Sequence, residues 1–483
     1  MSKEANTENE TAQTPIAHAR DWNGTNDPGD PRNFTLLRRI YSTTAVTLLA
    51  FVTTFAASIY SPGSSEVARN FSVSDEVAIL PLAFYNLGLA AGPLIGSPVS
   101  ETSGRKVVLL ITTPCFALFT LGAGFANGIT ALVVCRFFAG VFAAPAVGNA
   151  SATLTDYTSG RYRAISFAFY YSIPTFGAAL GPLVGGFVAE ARGWRWTLFT
   201  TVILTVAFYI PILFTKESYK KTILQRRAKK LGIEGPPQVQ RTTTETIRYF
   251  ATTLLFRPLH MLLTEPIVTL VCLYNAFLFG LIYTFVVAAP WIYKTYYGFS
   301  VSGQSLSFLG MIIGTAIAPF PLILIDRFIY QPRLKRFRET KSEEERFPPE
   351  YRLYPALIAS FILPVGLFAF AWTVRPDVPA IVPIVFQGLT ALASLLIYAS
   401  ANLFMMDAYG PLYGASAAGA AMLSRYTLSA AFPLFALKMY QALGVGWATS
   451  ILAFCTLAMA PIPWLFWKFG EDIRRKSRYE TSA

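Results

Sequence analysis

Two arginines stand where a charge has to be explained. Arg136 and Arg425 each lie inside a long apolar run. A charge at membrane depth is costly and is kept for a function or for a partner. Arginine does not deprotonate. Arg136 can therefore act only by setting the pKa of a neighbouring acid, by polarising water or by binding an anion; the alternative is a side chain snorkelling to an interface. No acid lies deep in the first half of the chain, where Asp156 and Glu101 sit near the edges of their runs. Arg425 can pair with Asp407 or touch a substrate. Buried amides need partners, so Asn86, Asn149 and Asn275 are candidates for a cavity wall, with Tyr170, Tyr274, Tyr398 and Asn402 beside them. Tyrosines near the ends of apolar runs also suit the interfacial belt. A cavity with arginines and almost no carboxylates suits a neutral or anionic organic compound and disfavours a polyamine.

A second constellation is mechanical. Gly177, Gly181 and Gly185 are spaced by four within the run from Ile165 to Ala189, with Pro182 and Gly186 among them. Such a small-residue face admits a second helix at close range. Pro182 lacks an N–H and bends the rod. The pattern reads either as a moving contact between two helix bundles or as a plain packing face.

The elements that position these residues are membrane helices. The 483 residues are 53% hydrophobic and 14% charged, whereas soluble chains carry nearer a quarter charged. Twelve apolar segments are long enough to span, at about 20 residues each, running from Ile40–Tyr60 to Val445–Trp467. The tenth and eleventh, Ala380–Asn402 and Ala415–Leu437, are separated by Asp407, Gly410, Pro411 and Gly414. With the N-terminus placed in the cytosol, 32 of the 40 Lys and Arg fall in cytosolic segments and six in outer loops, as the positive-inside rule demands. The expected fold is an all-α membrane protein, twelve helices in two pseudo-symmetric six-helix halves. The expected division is a flexible cytosolic arm over 1–39, a first bundle over 40–215, a basic cytosolic loop over 216–265, a second bundle over 266–467 and a cytosolic tail over 468–483. The basic loop reads as a solvated linker or as a helix on the anionic leaflet.

Other chemistries find little support. Cys115, Cys135, Cys272 and Cys455 lie in apolar runs without metal or disulfide spacing, and His18 and His260 are far apart. No nucleophile–base pair, phosphate loop or cofactor site is evident, so no enzyme, cofactor or metal is expected. The +13 net charge fixes topology rather than marking a nucleic-acid surface. The polar first forty residues contain no cleavable secretory signal. Asn70-Phe71-Ser72 is a glycosylation sequon in the first outer loop.

Further motifs resemble the major facilitator superfamily, in its fungal branch of twelve-helix drug:proton antiporters. The glycine stretch is similar to that branch's antiporter motif in the fifth helix. Ser97 to Lys106, with Glu101, Gly104 and Arg105, resembles the superfamily's short-loop signature, although Gly is common at Ser97. Arg136 to Gly140 resembles its Arg-x-x-x-Gly motif. Trp22, Asp27-Pro28 and Pro31-Arg32-Asn33-Phe34 are similar to the motif preceding the first helix. Glu265-Pro266, Tyr351-Arg352-Leu353, Ser424-Arg425 and Phe432-Pro433-Leu434-Phe435 also resemble that branch. The resemblance implies proton coupling at Arg136 and gating at the glycine motif. Glu101 can accept from N–H groups at a neighbouring helix start and pair with Arg105, and Asp326-Arg327 is the corresponding remnant in the second half. The implied activity is export of a xenobiotic or secondary metabolite by proton antiport and alternating access, with an organic acid as the alternative substrate and a polyamine transporter, an uptake symporter or a non-transporting membrane sensor as further alternatives. The implied setting is a monomer in the cell membrane, both ends cytosolic; a vacuolar or mitochondrial membrane is the alternative.

Overall fold

The computed structural model describes residues 20–158, 162–236, 248, 252, 256–340 and 347–479. At 94, 95, 97–99, 101, 102, 162, 163, 411 and 412 it describes the backbone alone. Among the described residues the regular elements are helices. The first six membrane helices are α1 (Leu36–Ser58), α2 (Asp75–Ser103), α3 (Arg105–Gly124), α4 (Ile129–Tyr157), α5 (Tyr162–Arg192) and α6 (Trp194–Phe214). Then come α7 (Pro266–Tyr297), α8 (Val301–Thr340, in pieces joined by a π turn at Asp326–Tyr330) and α9 (Tyr354–Thr373).

Beyond Thr373 the helix Ile381–Met459 is nominally continuous, but Gly410 (φ 59°, ψ −164°) and Gly444 (φ 71°, ψ 166°) break it. These are backbone positions that L side chains rarely adopt. The pieces before, between and after the two glycines are α10, α11 and α12, the last extended by Pro461–Arg475. Eleven stretches are long and apolar enough to cross a membrane, and the last of them, Tyr413–Arg475, has 63 residues and contains the Gly444 break. A crossing takes about 20 residues, so that stretch crosses twice and the count is twelve. The polar gap expected between the tenth and eleventh spans shrinks to one glycine-centred reversal, since Asp407 remains helical. Among the described residues, twelve crossings put the segments before α1 and after α12 on one face, called the terminal face; the other is the distal face.

Packing is tightest where glycines meet backbone. A Cβ on Gly140 of α4 would sit 2.1 Å from the Tyr85 carbonyl of α2, and one on Gly314 of α8 would sit 2.1 Å from the Gly388 carbonyl of α10. The α2–α4 and α8–α10 pairs thus repeat one close contact in each half.

Of the arm read as flexible, residues 1–19 lie outside the described residues, while the part from 20 on is folded. Residues 20–35 fold around Asp27, whose side chain is 1% exposed. Its carboxylate accepts from the backbone of Asn23 (2.8 Å) and Gly29 (2.7 Å) and from both terminal nitrogens of Arg227 (2.7 Å each). Arg227 belongs to a helix, Lys220–Leu231, that lies within the stretch read as a linker. Enough local hydrogen bonding outweighs the proline and glycine signals there.

Candidate functional site

Arg136 sits in the first turns of α4 at the distal side and is completely buried. Its Nη2 donates to the Ala56 carbonyl of α1 at 2.8 Å. Its guanidinium lies 4.2 Å from the Tyr85 ring centroid and 5.8 Å from that of Tyr60. Nε and Nη1 have no hydrogen-bond partner among the described residues. Guanidinium over an aromatic face is attractive, by about 2 kcal/mol or more when desolvated, and this holds the charge at depth without an acid.

Arg425 of α11 is held in the same way. It lies over the rings of Tyr426 (4.4 Å), Phe279 (4.6 Å) and Tyr398 (5.3 Å). It also donates to the Tyr398 hydroxyl. The alternative pairing with Asp407 is not made. Asp407 bonds instead to Arg352 at the start of α9, 3.0 Å away.

The two arginine sites meet through α7. Tyr283 lies beside Asn86 and within electrostatic reach of Arg136, Arg425 and Tyr426. Asn86 of α2 donates to the Ser429 carbonyl of α11 at 3.2 Å, across the two halves. Asn275 and Gln387 are fully buried, and neither amide has a partner among the described residues. The Tyr274 hydroxyl is in the same position. Buried polar atoms without partners are rare, and these three side chains on α7 and α10 are among those in the described residues. Tyr398 packs edge-on against Tyr171 of the first half, centroids 5.0 Å apart. Tyr170 donates to the Val147 carbonyl at 2.9 Å.

Two predicted wall residues are elsewhere. Asn149 reaches the Arg105 carbonyl (3.4 Å) at the start of α3, because α4 carries it to the terminal face. Asn402 turns its amide back on the Tyr398 carbonyl one turn away, at 2.7 Å. The acids of the spans stand at their ends: Glu76 and Glu190 distally, Asp156, Asp326 and Asp407 terminally.

The Glu101 side chain lies outside the described residues. The start of α3 is capped by Glu217, from just beyond α6. It accepts from the backbone N–H of Arg105 (2.9 Å) and Lys106 (3.3 Å). Gly104 (φ +102°) lies so close that a Cβ there would come within 2.3 Å of the Glu217 carboxylate. The Arg105 guanidinium donates to Ser100 at 3.0 Å and stands 3.8 Å from Asp156. In the second half, Arg327 is exposed, and it is Arg352 that pairs with Asp326 at 3.1 Å as well as with Asp407. Glu350 and Arg474 form a further pair at 3.0 Å. Glu217 carried no sequence signal beyond its place after a span, whereas Arg352 lies in the Tyr-Arg-Leu motif.

The glycine stripe also faces an unexpected neighbour. A Cβ on Gly177 would meet the Phe51 carbonyl at 2.7 Å, one on Gly181 the Ile59 nitrogen at 2.9 Å, and one on Gly185 the Ile59 carbonyl at 2.2 Å. All three neighbours belong to α1 or its end, inside the same half. Of the two readings, a moving contact between bundles or a plain packing face, these three contacts fit a close-packed face within one half; the periodicity does not specify the helix it meets. Gly186 does face the other half, 1.7 Å from Ser305 Oγ by the same measure. Asn70 is exposed at the distal face.

Residues 46–433 match the Major Facilitator Superfamily. The chain belongs to the major facilitator superfamily. Its relatives include the MFS-type transporter traF of Penicillium crustosum, 35% identical over 97% of this chain and 95% of the relative. Polyamine transporter 4 of Saccharomyces cerevisiae is 33% identical over 99% and 76%. Efflux pump radE of Floropilus chiversii is 31% identical over 95% and 85%. The fold matches the solved proton:xylose symporter XylE with a TM-score of 0.63 at 17% identity, covering 90% of this chain and 96% of that one. The protein is thus a multi-pass membrane transport protein rather than an enzyme, on the fungal branch that its motifs resemble.

Proposed function

We propose that this superfamily member exports a small organic compound, neutral or anionic, by proton antiport and alternating access. A xenobiotic or secondary metabolite is the leading substrate class and an organic acid the alternative. The terminal face is cytosolic and the cell membrane is the site of action, as the Lys and Arg distribution favours. The transporter works as a monomer.

One observation carries the substrate class. Arg136, over Tyr85 and Tyr60, and Arg425, over Tyr426, Phe279 and Tyr398, put two buried cations among aromatic faces, and among the described residues neither forms an ion pair with a carboxylate. That environment attracts an anion or a flat electron-rich ring and repels a polycation. Asn86, Asn275, Gln387, Tyr274 and Tyr398 supply donors and acceptors for orientation. The relatives named as efflux pumps accord with export, while the one named as a polyamine transporter points to a cargo that this interior receives poorly. In proton coupling Arg136 acts through its neighbours, since it keeps its charge.

The test is uptake into inside-out vesicles from a strain lacking its own exporters, with the lumen acidified. A panel of organic acids, amphipathic drugs and polyamines is screened. The expected result is gradient-driven uptake of an acid or neutral aromatic compound, abolished by a protonophore and by Arg136→Ala at equal protein level. Uptake indifferent to the gradient overturns the antiport, and uptake of polyamines alone overturns the substrate class.

A further inference from the structure

The folded arm has a partner that alternating access alone does not require. Besides the Asp27–Arg227 pair, the Trp22 ring lies under Lys220 (5.6 Å) and Arg227 (5.8 Å). Asp21 pairs with Lys220, and Arg20 with Glu234. Gly29 is packed against the ion pair so closely that a Cβ would fall 2.1 Å from Arg227 Nη2. At its other end the arm packs Phe34 at a tilt against Tyr157, the last residue of α4, with centroids 6.0 Å apart. The arm therefore ties the basic helix to the first half at both ends.

That helix follows directly on the residues that clasp the terminal face. Glu217 caps α3, Ser218 donates to Asp156 of α4 at 2.9 Å, and the Arg105 guanidinium lies 5.0 Å over the Tyr219 ring. Lys106 Nζ in turn donates to the Thr215 carbonyl at 2.7 Å. The basic helix begins at the next residue, Lys220.

We propose that Asp27 and Trp22 are positioning residues for the terminal-face gate, holding the basic helix on the first half so that Glu217 stays on the start of α3. The inference rests on the rocking-halves reading. Arm, basic helix and first bundle then move as one body. The gate they control is the seam where Ala164 and Ala168 of α5 meet Leu322 of α8 and Leu403 of α10 around a small open cleft.

The experiment uses the full chain with its four cysteines replaced and Ala168→Cys added, in inside-out vesicles. The labelling rate by N-ethylmaleimide reads the seam, and limited trypsin digestion at Arg226, Lys229 and Lys230 reads the helix. Asp27→Asn and Gly29→Ala should each expose the helix to trypsin. They should also raise the labelling rate by roughly five- to tenfold, within the range by which remote residues alter coupling. The exchange Asp27→Arg with Arg227→Asp should restore both readouts. Trypsin cleavage without faster labelling overturns the proposal, because the arm then merely anchors the helix. Unchanged protection in both single variants overturns it as well. If Asp27→Asn fails to reach the membrane, Gly29→Ala and the exchange decide. Neither readout involves proton-driven uptake, so failure of the antiport assay is distinguishable from failure here.

Discussion

Gly185 and Gly186 are adjacent, yet their substitution by alanine should have different consequences. At Gly185 the new Cβ meets the Ile59 carbonyl oxygen at 2.2 Å and its carbon at 3.1 Å. A carbonyl cannot rotate away, so α5 must separate from the end of α1 by about 1 Å to restore contact. Overpacking of this kind costs about 1–3 kcal/mol. A helical Gly→Ala change returns up to about 1 kcal/mol in propensity, which leaves a net loss of about 1–2 kcal/mol. At Gly186 the new Cβ meets Ser305 Oγ at 1.7 Å and Ser305 Cβ at 2.7 Å. The hydroxyl can rotate but the Cβ cannot, and this contact lies between the halves. Gly148, whose nearest atom would be Met422 Sδ at 4.0 Å, is the control. Thermal unfolding of the detergent-solubilised protein should show Gly185→Ala losing several degrees against Gly148→Ala. Gly186→Ala should stay near the control in stability but lose transport, because α5 and α8 no longer close. The packing argument is refuted if Gly185→Ala melts with Gly148→Ala, and the seam argument if Gly186→Ala transports normally.

Arg136→Lys keeps the charge but loses the planar stacking on Tyr85 and the bond to the Ala56 carbonyl. Transport should fall by an order of magnitude or more at equal protein level, since the two cations are not interchangeable at a stacked site; normal transport would rule out the geometric role. Asp407→Asn leaves the buried Arg352 with Asp326 as its remaining carboxylate and should cost about 2–3 kcal/mol in thermal stability, more than the exposed Glu471→Gln. Glu217→Gln removes the charged cap from α3 and should cost about 1 kcal/mol, detectable as faster hydrogen exchange at Arg105 and Lys106. Hydrogen bonds from Arg227, then from the Asn23 and Gly29 N–H groups, hold Asp27 at about 2, below the usual carboxylate range. A depressed folded pKa contributes stability that is complete above the unfolded value near 4 and disappears as pH falls through 2. Trypsin protection of the basic helix should therefore be flat between pH 5 and 8, and a loss of protection at pH 5 would contradict the assignment.

The fold was legible because the bilayer leaves few choices. Apolar length and the placement of Lys and Arg give twelve crossings, and the one polar interruption, around Gly410, was a real reversal though a much shorter one. Arg136 and Arg425 stood out because charge at depth has no cheap explanation. Their partners did not, since aromatic residues are abundant in every span and nothing in their spacing separates Tyr85, Phe279 and Tyr426 from lipid-facing rings. The glycine face could be read but the helix it meets could not, because spacing specifies a surface and tertiary packing chooses the occupant. Glu217 and the folded arm escaped for a related reason. The bonds from Arg105 to Glu217 and from Arg227 to Asp27 link residues more than a hundred positions apart, where composition reports local tendency alone.

The distribution of strong and weak bonds is itself an argument for rocking halves. Among the described residues, the charged clasps of the terminal face lie within one half: Glu217 on α3, Arg105 with Asp156, Arg352 between Asp326 and Asp407, Glu350 with Arg474. Glu265, ahead of α7, likewise holds Tyr409, Ser477 and the backbone of Arg478 in the second half. Among the described residues, polar contacts across the halves are isolated and mostly neutral, set within shared apolar packing. They include Ser61 to the Val286 carbonyl, Asn86 to the Ser429 carbonyl, the Ser302 N–H to Glu190, and Tyr171 on Tyr398. The ion pair between the halves, Lys438 with Glu76, is largely solvent-exposed and contributes roughly 0–1 kcal/mol. Buried charged pairs cost about 3–5 kcal/mol to break singly, whereas a neutral hydrogen bond contributes about 1 kcal/mol net. Polar bonds therefore hold each half together more strongly than they hold the halves to each other. This is the mechanical condition for two rigid bodies turning about a central site.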